Sequence, residues 1–471
     1  MTQNQEIITK LWDLGIVVTD EILHKISQGA SLDEILQSQN QQTQEPTVTV
    51  LKSYVDNHHD ITVKDFTQHY QFRLEYLSQL LKTRTELDNL SAIHRVLQKT
   101  ENEKVSIIGY VQDIRETKNG HLMLTIEDKT AKIRVCVVSN EQKKELFDFA
   151  KDLVLDDVVG IHGTLMAGND PIMFVDEILL PDIPNTNPLK KCPDDVNAVF
   201  IGDLHIGAKV FLEKDWEAFI KWINAKTDDN ELNEKAKKVQ YVIIVGDIIE
   251  GVGWYPNQEK DLAIVPFRDQ YKRAAELIKQ IPSRIKVIIC PGNHDIMRLS
   301  EPQPPIYKDI AQDLLSLPNI VNVSSPSIVN IHKTEDFPGF NLLLYHGYSF
   351  FYYINNVPSI RKAGGIDRID LVMEFLLKRR HLAPAHTSTL FLPDPDRDEL
   401  LIDEIPDFFI SGHVHKSVIS SYKNIAILNC SCFVDITEYQ KKQGMIPDLS
   451  KVACVNLQTR KIELLDFHKK E

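Results

Sequence analysis

The sequence predicts a multidomain protein in which a small all-α module is followed by a five-stranded β-barrel and a C-terminal α/β sandwich. Three observations predict it. At 471 residues the chain exceeds what one hydrophobic core usually serves, so two or three domains are expected. The apolar spacing changes along it, from helical near the N-terminus to alternating from Val105 and to strand–loop–helix repeats from Val196. A polar stretch of low complexity, QSQNQQTQEPT at residues 37–47, separates the first helices from the rest as a tether would.

In order, Ile7, Ile8, Leu11 and Leu14, then Ile22, Leu23 and Ile26, follow helical spacing between Glu6 and about Leu36. Thr19–Asp20 and Ser31–Asp33 offer capping residues for further short helices. Residues 1–37 are therefore expected as a helical module and 38–62 as a flexible linker. Phe66, Tyr70, Leu74, Leu77 and Leu81 stripe one more helix running to about Arg84, within a segment, 63–100, that leads into the barrel.

Strands are expected at Val105–Ile114, around Leu122, Leu124 and Ile126, around Ile133, Val135 and Val137, and at Val158–Leu165 and Ile172–Leu180. Turn signals stand at Lys118-Asn119-Gly120 and Glu127-Asp128-Lys129, and a helical insert at Glu141–Lys151. Five strands with a helix between the third and fourth give the order of an OB barrel over 101–184. Its basic and aromatic residues are sparse for a stacking platform, which favours a structural or subunit-contact role. In 185–471, strands at Val196–Ile201, Tyr241–Val245 and Ile285–Cys290 alternate with helices at Asp215–Ala225, Arg268–Ile281 and Tyr307–Leu317. Further strands follow near Ile320–Val323, Ile328–Ile331, Asn341–Tyr345, Phe408–Ile410 and Ile425–Leu428.

Composition narrows the function classes. A hydrophobic content of 43% with 25% charged residues is that of a globular protein. No apolar run approaches the ~20 residues that cross a bilayer, and MTQNQEIITK lacks the features of an export signal. A cytoplasmic protein with no membrane partner is expected. Cys136, Cys192, Cys290, Cys430, Cys432 and Cys454 lie mostly in apolar strands without zinc-type pairing, and read as reduced core residues. A net charge of −14 argues against a free-standing nucleic-acid binder, because such binders neutralise phosphates. It leaves room for chemistry on nucleic acid if metals or a partner supply the positive field.

Five loops each follow an apolar strand and carry metal-ligand residue types: Gly202-Asp203-Leu204-His205, Gly246-Asp247, Gly292-Asn293-His294-Asp295, His346-Gly347 and Gly412-His413-Val414-His415. A glycine beside each ligand lets the backbone turn tightly. Alternate residues share a face, so Asp-x-His and His-x-His each present two ligands together. One such pair is a weak signal; five at strand ends point to a metal site. Asp and Asn oxygens mixed with imidazoles suit Mn, with Fe or Zn as alternatives, better than Mg or Ca. For two ions one carboxylate must bridge, and Asp247, isolated between ligand pairs, is the candidate.

This order of motifs resembles the calcineurin-like metallophosphoesterase superfamily from about Val196 onwards. The resemblance implies Asp203, His205, Asp247 and His415 around one divalent ion and Asp247, Asn293, His346 and His413 around the other. His294 would give a proton to the leaving oxygen, oriented by a neighbouring carboxylate. One departure counts against a phosphoprotein phosphatase: the second motif runs Gly246-Asp247-Ile248-Ile249-Glu250-Gly251, without the arginine usual in those enzymes.

The whole arrangement resembles the small subunits of archaeal family-D DNA polymerases. Val175-Asp176-Glu177-Ile178 with Pro181-Asp182-Ile183-Pro184, Gly251-Val252-Gly253-Trp254-Tyr255-Pro256 with Gln258-Glu259, Arg379-Arg380-His381-Leu382-Ala383-Pro384 and Asp403-Glu404-Ile405-Pro406-Asp407 carry the likeness. It implies a two-metal 3′→5′ exonuclease that proofreads single-stranded or mismatched DNA 3′ ends beside a large catalytic polymerase subunit. A sliding clamp is a further candidate partner, through the N-terminal module. The alternatives are a non-catalytic assembly subunit with a vestigial site and a phosphomonoesterase or cyclic-nucleotide esterase. Trp254, Tyr255 and Arg298 stand near enough to the ligand loops to touch a substrate, with packing the equal alternative for each.

Overall fold

The structure, a computed structural model, describes residues 7–11, 18, 20–32, 46–56, 60–437, 440–441 and 444–468. It divides into two compact units, Met1–Thr47 and Val48–Glu471. In the first, residues 7–11 are helical and Asp20–Ser27 forms a helix, with Leu11, Ile22 and Ile26 in its small core. Residues 12–17, 19 and 33–36 of the helical run expected between Glu6 and Leu36, and residues 37–45 of the expected tether, lie outside the described residues.

The strands of the second unit are β1 (Val48–Ser53), β2 (Glu103–Glu116), β3 (Leu122–Glu127), β4 (Lys132–Val137), β5 (Val158–Met166), β6 (Ile172–Leu179), β7 (Asn197–Ile201), β8 (Val239–Val245) and β9 (Lys286–Cys290). They continue with β10 (Ile320–Asn322), β11 (Ser327–Ile331), β12 (Phe340–Leu344), β13 (Phe408–Ser411), β14 (Val418–Tyr422), β15 (Ile425–Asn429), β16 (Lys451–Asn456) and β17 (Ile462–Asp466).

Strands β2–β6 close into a barrel in the order β2-β3-β4-β6-β5. Alternation explains it: Leu122, Leu124 and Ile126 point inward from β3 and meet Val105, Ile107, Val135 and Val175 in one core. The helical insert lies at Lys144–Ala150, between β4 and β5, as an OB barrel requires. The helix before the barrel spans Val63–Leu81. Its Leu74, Leu77 and Leu81 pack against Ile108 and Val158 of the barrel and Leu401 of the C-terminal domain.

The C-terminal domain is a sandwich of two six-stranded sheets, β10-β9-β8-β7-β16-β17 and β1-β11-β12-β13-β15-β14. Between them lies one apolar layer, where Phe200, Ile243 and Ile288 of the first sheet meet Val329, Leu342 and Ile410 of the second. Helices Glu213–Ile223 and Phe267–Ile278 cover the outer face of the first sheet, and Ile369–Arg379 with its neighbours covers that of the second. Burial on both faces is why β8, VQYVIIV, is buried throughout and, with Gln240 as its one polar residue, shows no apolar–polar alternation. Strands β7, β8, β9 and β10 run parallel, as do β12, β13 and β15, so their carboxyl ends gather at one edge of the sandwich.

Three expectations change. Part of the expected linker is ordered: Val48–Ser53 is an edge strand pairing antiparallel with Ser327–Ile331, because Val-Thr-Val-Leu carries enough β-propensity to extend a sheet already formed. Of the helix expected over Tyr307–Leu317 only Gln312–Leu315 is α-helical. Strand β14, paired with the expected β15, and the hairpin β16–β17 complete the sheets in stretches where no strand was expected. All six cysteines are buried and free. Among the described residues no helix is long and apolar enough to cross a membrane.

Candidate metal centre

Each loop expected to carry ligands leaves the carboxyl end of a parallel strand: Asp203 and His205 follow β7, Asp247 follows β8 and Asn293 follows β9. His346 follows β12, and His413 and His415 follow β13. The strands converge, and so do these side chains. His205 Nε2 lies 3.1 Å from His415 Nε2, which lies 3.4 Å from Asp203 Oδ1. His346 Nε2 lies 3.2 Å from Asp247 Oδ2 and 3.0 Å from Asn293 Oδ1. Asp247 Oδ2 is also 3.7 Å from His205 Nε2, so its carboxylate stands between the two groups. Donor atoms of Asp203, His205 and His415 cluster within 4.8 Å of one another, and those of Asp247, His346 and His413 form a second such cluster.

Five of these residues have a left-handed backbone: Asp203, His205, Asp247, His413 and His415, with φ between 48° and 71°. Such conformations cost side-chain-bearing residues about 1–3 kcal/mol each and gather at functional sites. The glycines divide into two kinds. Gly246 and Gly347 do turn the chain with positive φ. At Gly292 and Gly412 the need is room instead: a Cβ would collide with the carboxylates of Asp247 and Asp203.

Backbone donors hold the carboxylates in place. The His413 amide donates to Asp203 Oδ1 at 2.9 Å, and the His294 amide to Asp247 Oδ1 at 2.7 Å. Burial would raise the Asp247 carboxyl, but the imidazoles of His346 and His294 keep it well below the usual carboxylate range. Burial works against the charged form of His346 as well, yet Asp247 pushes it up to about 9. His413, whose burial dominates, is held well below the ordinary histidine value. Four imidazoles, two carboxylates and the Asn293 amide oxygen facing one another make a donor set suited to divalent cations with mixed nitrogen and oxygen ligands. The seven residues therefore fit a metal, and a bridging Asp247 fits a pair of ions.

His294 stands at the rim of this cluster. Its Nδ1–H donates to the carbonyl oxygen of Glu250 at 2.8 Å, and its ring stacks on Trp254 with centroids 4.6 Å apart. A backbone carbonyl thus orients it more closely than any carboxylate, since the Glu250 carboxylate is 3.8 Å away. That carboxylate accepts from His205 Nδ1 at 2.7 Å, fixing Nε2 as the atom of His205 facing the cluster. Asp295 does not touch His294's ring. It accepts from the Gly292 amide at 2.9 Å and the Tyr271 hydroxyl at 3.0 Å, so it braces the loop. Burial and Asp247 push its carboxyl up to about 6.

The cluster opens into a cleft of about 990 Å³. Trp254 and Tyr255 line it, whereas Arg298 does not: its guanidinium pairs with Asp56 at 2.6 Å and lines a separate pocket. Sequence reading missed Glu250, although it stands in the quoted second motif. It also missed Gln440, whose amide lies 2.9 Å from His415 Nδ1, and the cleft-lining rings of Tyr348, Phe351 and Tyr352. The run Tyr348-Ser349-Phe350-Phe351-Tyr352-Tyr353 carried a signal for these rings.

Comparison with known proteins agrees with both domains. The family model of calcineurin-like phosphoesterases matches residues 196–417, and that of an OB-fold nucleic-acid-binding domain matches 105–180. The DNA polymerase II small subunit of Methanothermobacter thermautotrophicus is 37% identical over 405 residues, covering 86% of this chain and 80% of that protein. The chain belongs to the family of DNA polymerase II small subunits. The DNA polymerase II small subunit of Thermoplasma acidophilum is 30% identical over 469 residues, 96% of this chain and 91% of its own length. That of Archaeoglobus fulgidus is 34% identical over 392 residues, 83% and 75% of the two chains. The DNA polymerase II small-subunit family is thus the archaeal family-D group that the motifs resembled, and it joins an OB barrel to a phosphoesterase domain.

Proposed function

We propose that this chain is the proofreading subunit of a two-subunit replicative DNA polymerase, cleaving phosphodiester bonds at DNA 3′ ends inside the cell. The observation that carries the reading is the convergence of all seven ligand-type side chains and His294 on one cleft at the strand ends. A vestigial site would have no reason to keep five strained backbone positions and a matched set of nitrogen and oxygen donors.

Asp203, His205, Asp247 and His415 would hold one divalent ion and Asp247, Asn293, His346 and His413 a second, with Mn preferred over Fe or Zn. What such a pair supplies is Lewis acidity towards the phosphate and a nucleophile drawn from water near neutral pH. The chain's own residues do the rest. Asp247, pinned by the His294 amide, keeps the two halves of the site in register. Glu250 fixes the tautomer of His205. His294, anchored through Nδ1, presents Nε2 to the leaving 3′ oxygen and protonates it as the P–O3′ bond breaks. The terminal nucleotide departs with its 5′-phosphate.

A large catalytic polymerase subunit is the partner in this reading, as the name of the relatives suggests, and it would hold the duplex while this chain takes a frayed end. The test is release of mononucleotides from labelled single-stranded and mismatched 3′ ends in Mn²⁺. Activity that survives EDTA overturns the metal-dependent reading. Faster turnover of small phosphomonoesters than of DNA overturns the nuclease reading instead.

A further inference from the structure

The cleft has two unlike walls. On one, His294 stacks against Trp254, as described above. On the other, Tyr348 and Phe351 set their rings edge-on to His413, with centroids 5.7 and 5.3 Å away. Helix Phe350–Asn356 explains this wall. Phe350, Tyr353 and Ile354 face the core of the second sheet's outer layer, so Phe351, Tyr352 and Asn355 face the cleft. Three half-buried aromatic rings stand there beside the phosphate-cleaving centre. The described residues lining the cleft include no lysine or arginine.

The chemistry proposed above gives these walls different roles, and the inference rests on that reading. If His294 protonates the leaving 3′ oxygen, the upstream strand exits on the His294–Trp254 side. The terminal nucleotide keeps the phosphate through its 5′ oxygen and must lie along the remaining wall, beside His413. A base has a π-face whatever its sequence, and an aromatic ring can accept it only after it has left its pair. We propose that Tyr348, Phe351 and Tyr352 form a stacking platform for the base of the 3′-terminal nucleotide, so that the site selects unpaired ends by stacking rather than by charge.

Such a platform makes proofreading independent of base identity. It rewards fraying, which a mismatch makes easier, and needs no reading of the mismatch itself. The aromatic side chains are also stiff, with few rotamers to freeze on binding.

The experiment compares two single-stranded oligonucleotides that differ only at the 3′ terminus, one ending in a normal nucleotide and one in an abasic residue. In Mn²⁺ the wild-type protein is expected to show a KM about tenfold or more higher on the abasic end, the size of one base–aromatic stack. In Phe351→Ala and Tyr352→Ala that difference should vanish. Binding is read separately from the fluorescence of a 3′-terminal 2-aminopurine with Ca²⁺ in place of Mn²⁺: quenching is expected in the wild type and its loss in Tyr352→Ala. Equal KM values on the two ends, or binding without quenching, overturns the platform. The wild-type comparison decides even if a variant fails to fold. A protein that quenches the terminal base yet releases no nucleotide keeps the platform and removes the nuclease reading instead.

Discussion

His205 Nε2 and His415 Nε2 face each other at 3.1 Å, brought together from 210 residues apart in the chain. Two imidazole nitrogens at that distance repel unless something positive lies between them, a shared proton or a cation bound by both. Each is fixed from behind, His205 by the Glu250 carboxylate and His415 by the Gln440 side chain. Neither can turn away without losing that bond.

Removing one of this pair should therefore disarm half the site. His415→Ala is expected to lose the ion shared with Asp203 and His205 while retaining the one at His346. Metal analysis of the purified variant reads this directly. Retention of the full metal content would exclude His415 as a ligand.

His294→Ala should separate binding from turnover. Loss of a positioned proton donor slows a reaction by about 10²–10⁴. The ring contributes no atom to the two ligand groups proposed above, so metal content should be unchanged. Undiminished nucleotide release from the variant would take His294 out of the mechanism.

Glu250 touches no proposed ion, and acts through His205. Outer partners of ligating imidazoles contribute about 10–100-fold to metal affinity. Glu250→Ala should weaken Mn²⁺ binding by that order, measured by titration of the metal-free protein. An unchanged dissociation constant would show that His205 holds its tautomer unaided.

Far from the metal cluster, Arg73 on the helix before the barrel donates to Asp398 of the C-terminal domain at 2.6 Å, both side chains being buried. Asp398 also accepts from His381 at 2.9 Å. Asp398→Asn leaves the guanidinium buried without a counter-charge, and should cost about 3–5 kcal/mol in thermal or denaturant unfolding. Burial would raise the Asp398 carboxyl, but Arg73 holds it well below the usual range. Burial and Arg73 push His381 down to about 4. Below its unfolded value of about 6.5 the unfolded chain takes up the His381 proton first, so stability should fall as the pH drops from there towards 4. The Asp398 contribution is complete above its unfolded value of ~3.9 and is lost only below that. A flat stability profile between pH 6.5 and 4 would show that His381 is not held neutral.

Much of this was legible in the sequence for a simple reason. Strands buried on both faces write themselves as mainly apolar runs without strict alternation, and β7, β8, β9, β12 and β13 are such runs, each followed by a ligand loop. The barrel was legible from alternation. What escaped was set by context. Val48–Ser53 is six residues in a polar neighbourhood, and only the waiting edge of β11 makes it a strand. Glu250 and Gln440 look like ordinary polar residues until folding sets them behind His205 and His415. Phe351 and Tyr352 differ from their core neighbours Phe350 and Tyr353 by helical phase, which depends on where that helix begins.

The left-handed backbone at Asp203, His205, Asp247, His413 and His415 has a consequence for how such a centre can be lost. Glycine sits in that conformation without penalty, so each ligand exchanged for glycine sheds a local burden that the intact centre carries. Each such exchange would relieve local backbone strain of about 1–3 kcal/mol, set against the contacts that the lost side chain made. Restoring the centre would mean taking up all five burdens again before any benefit returned.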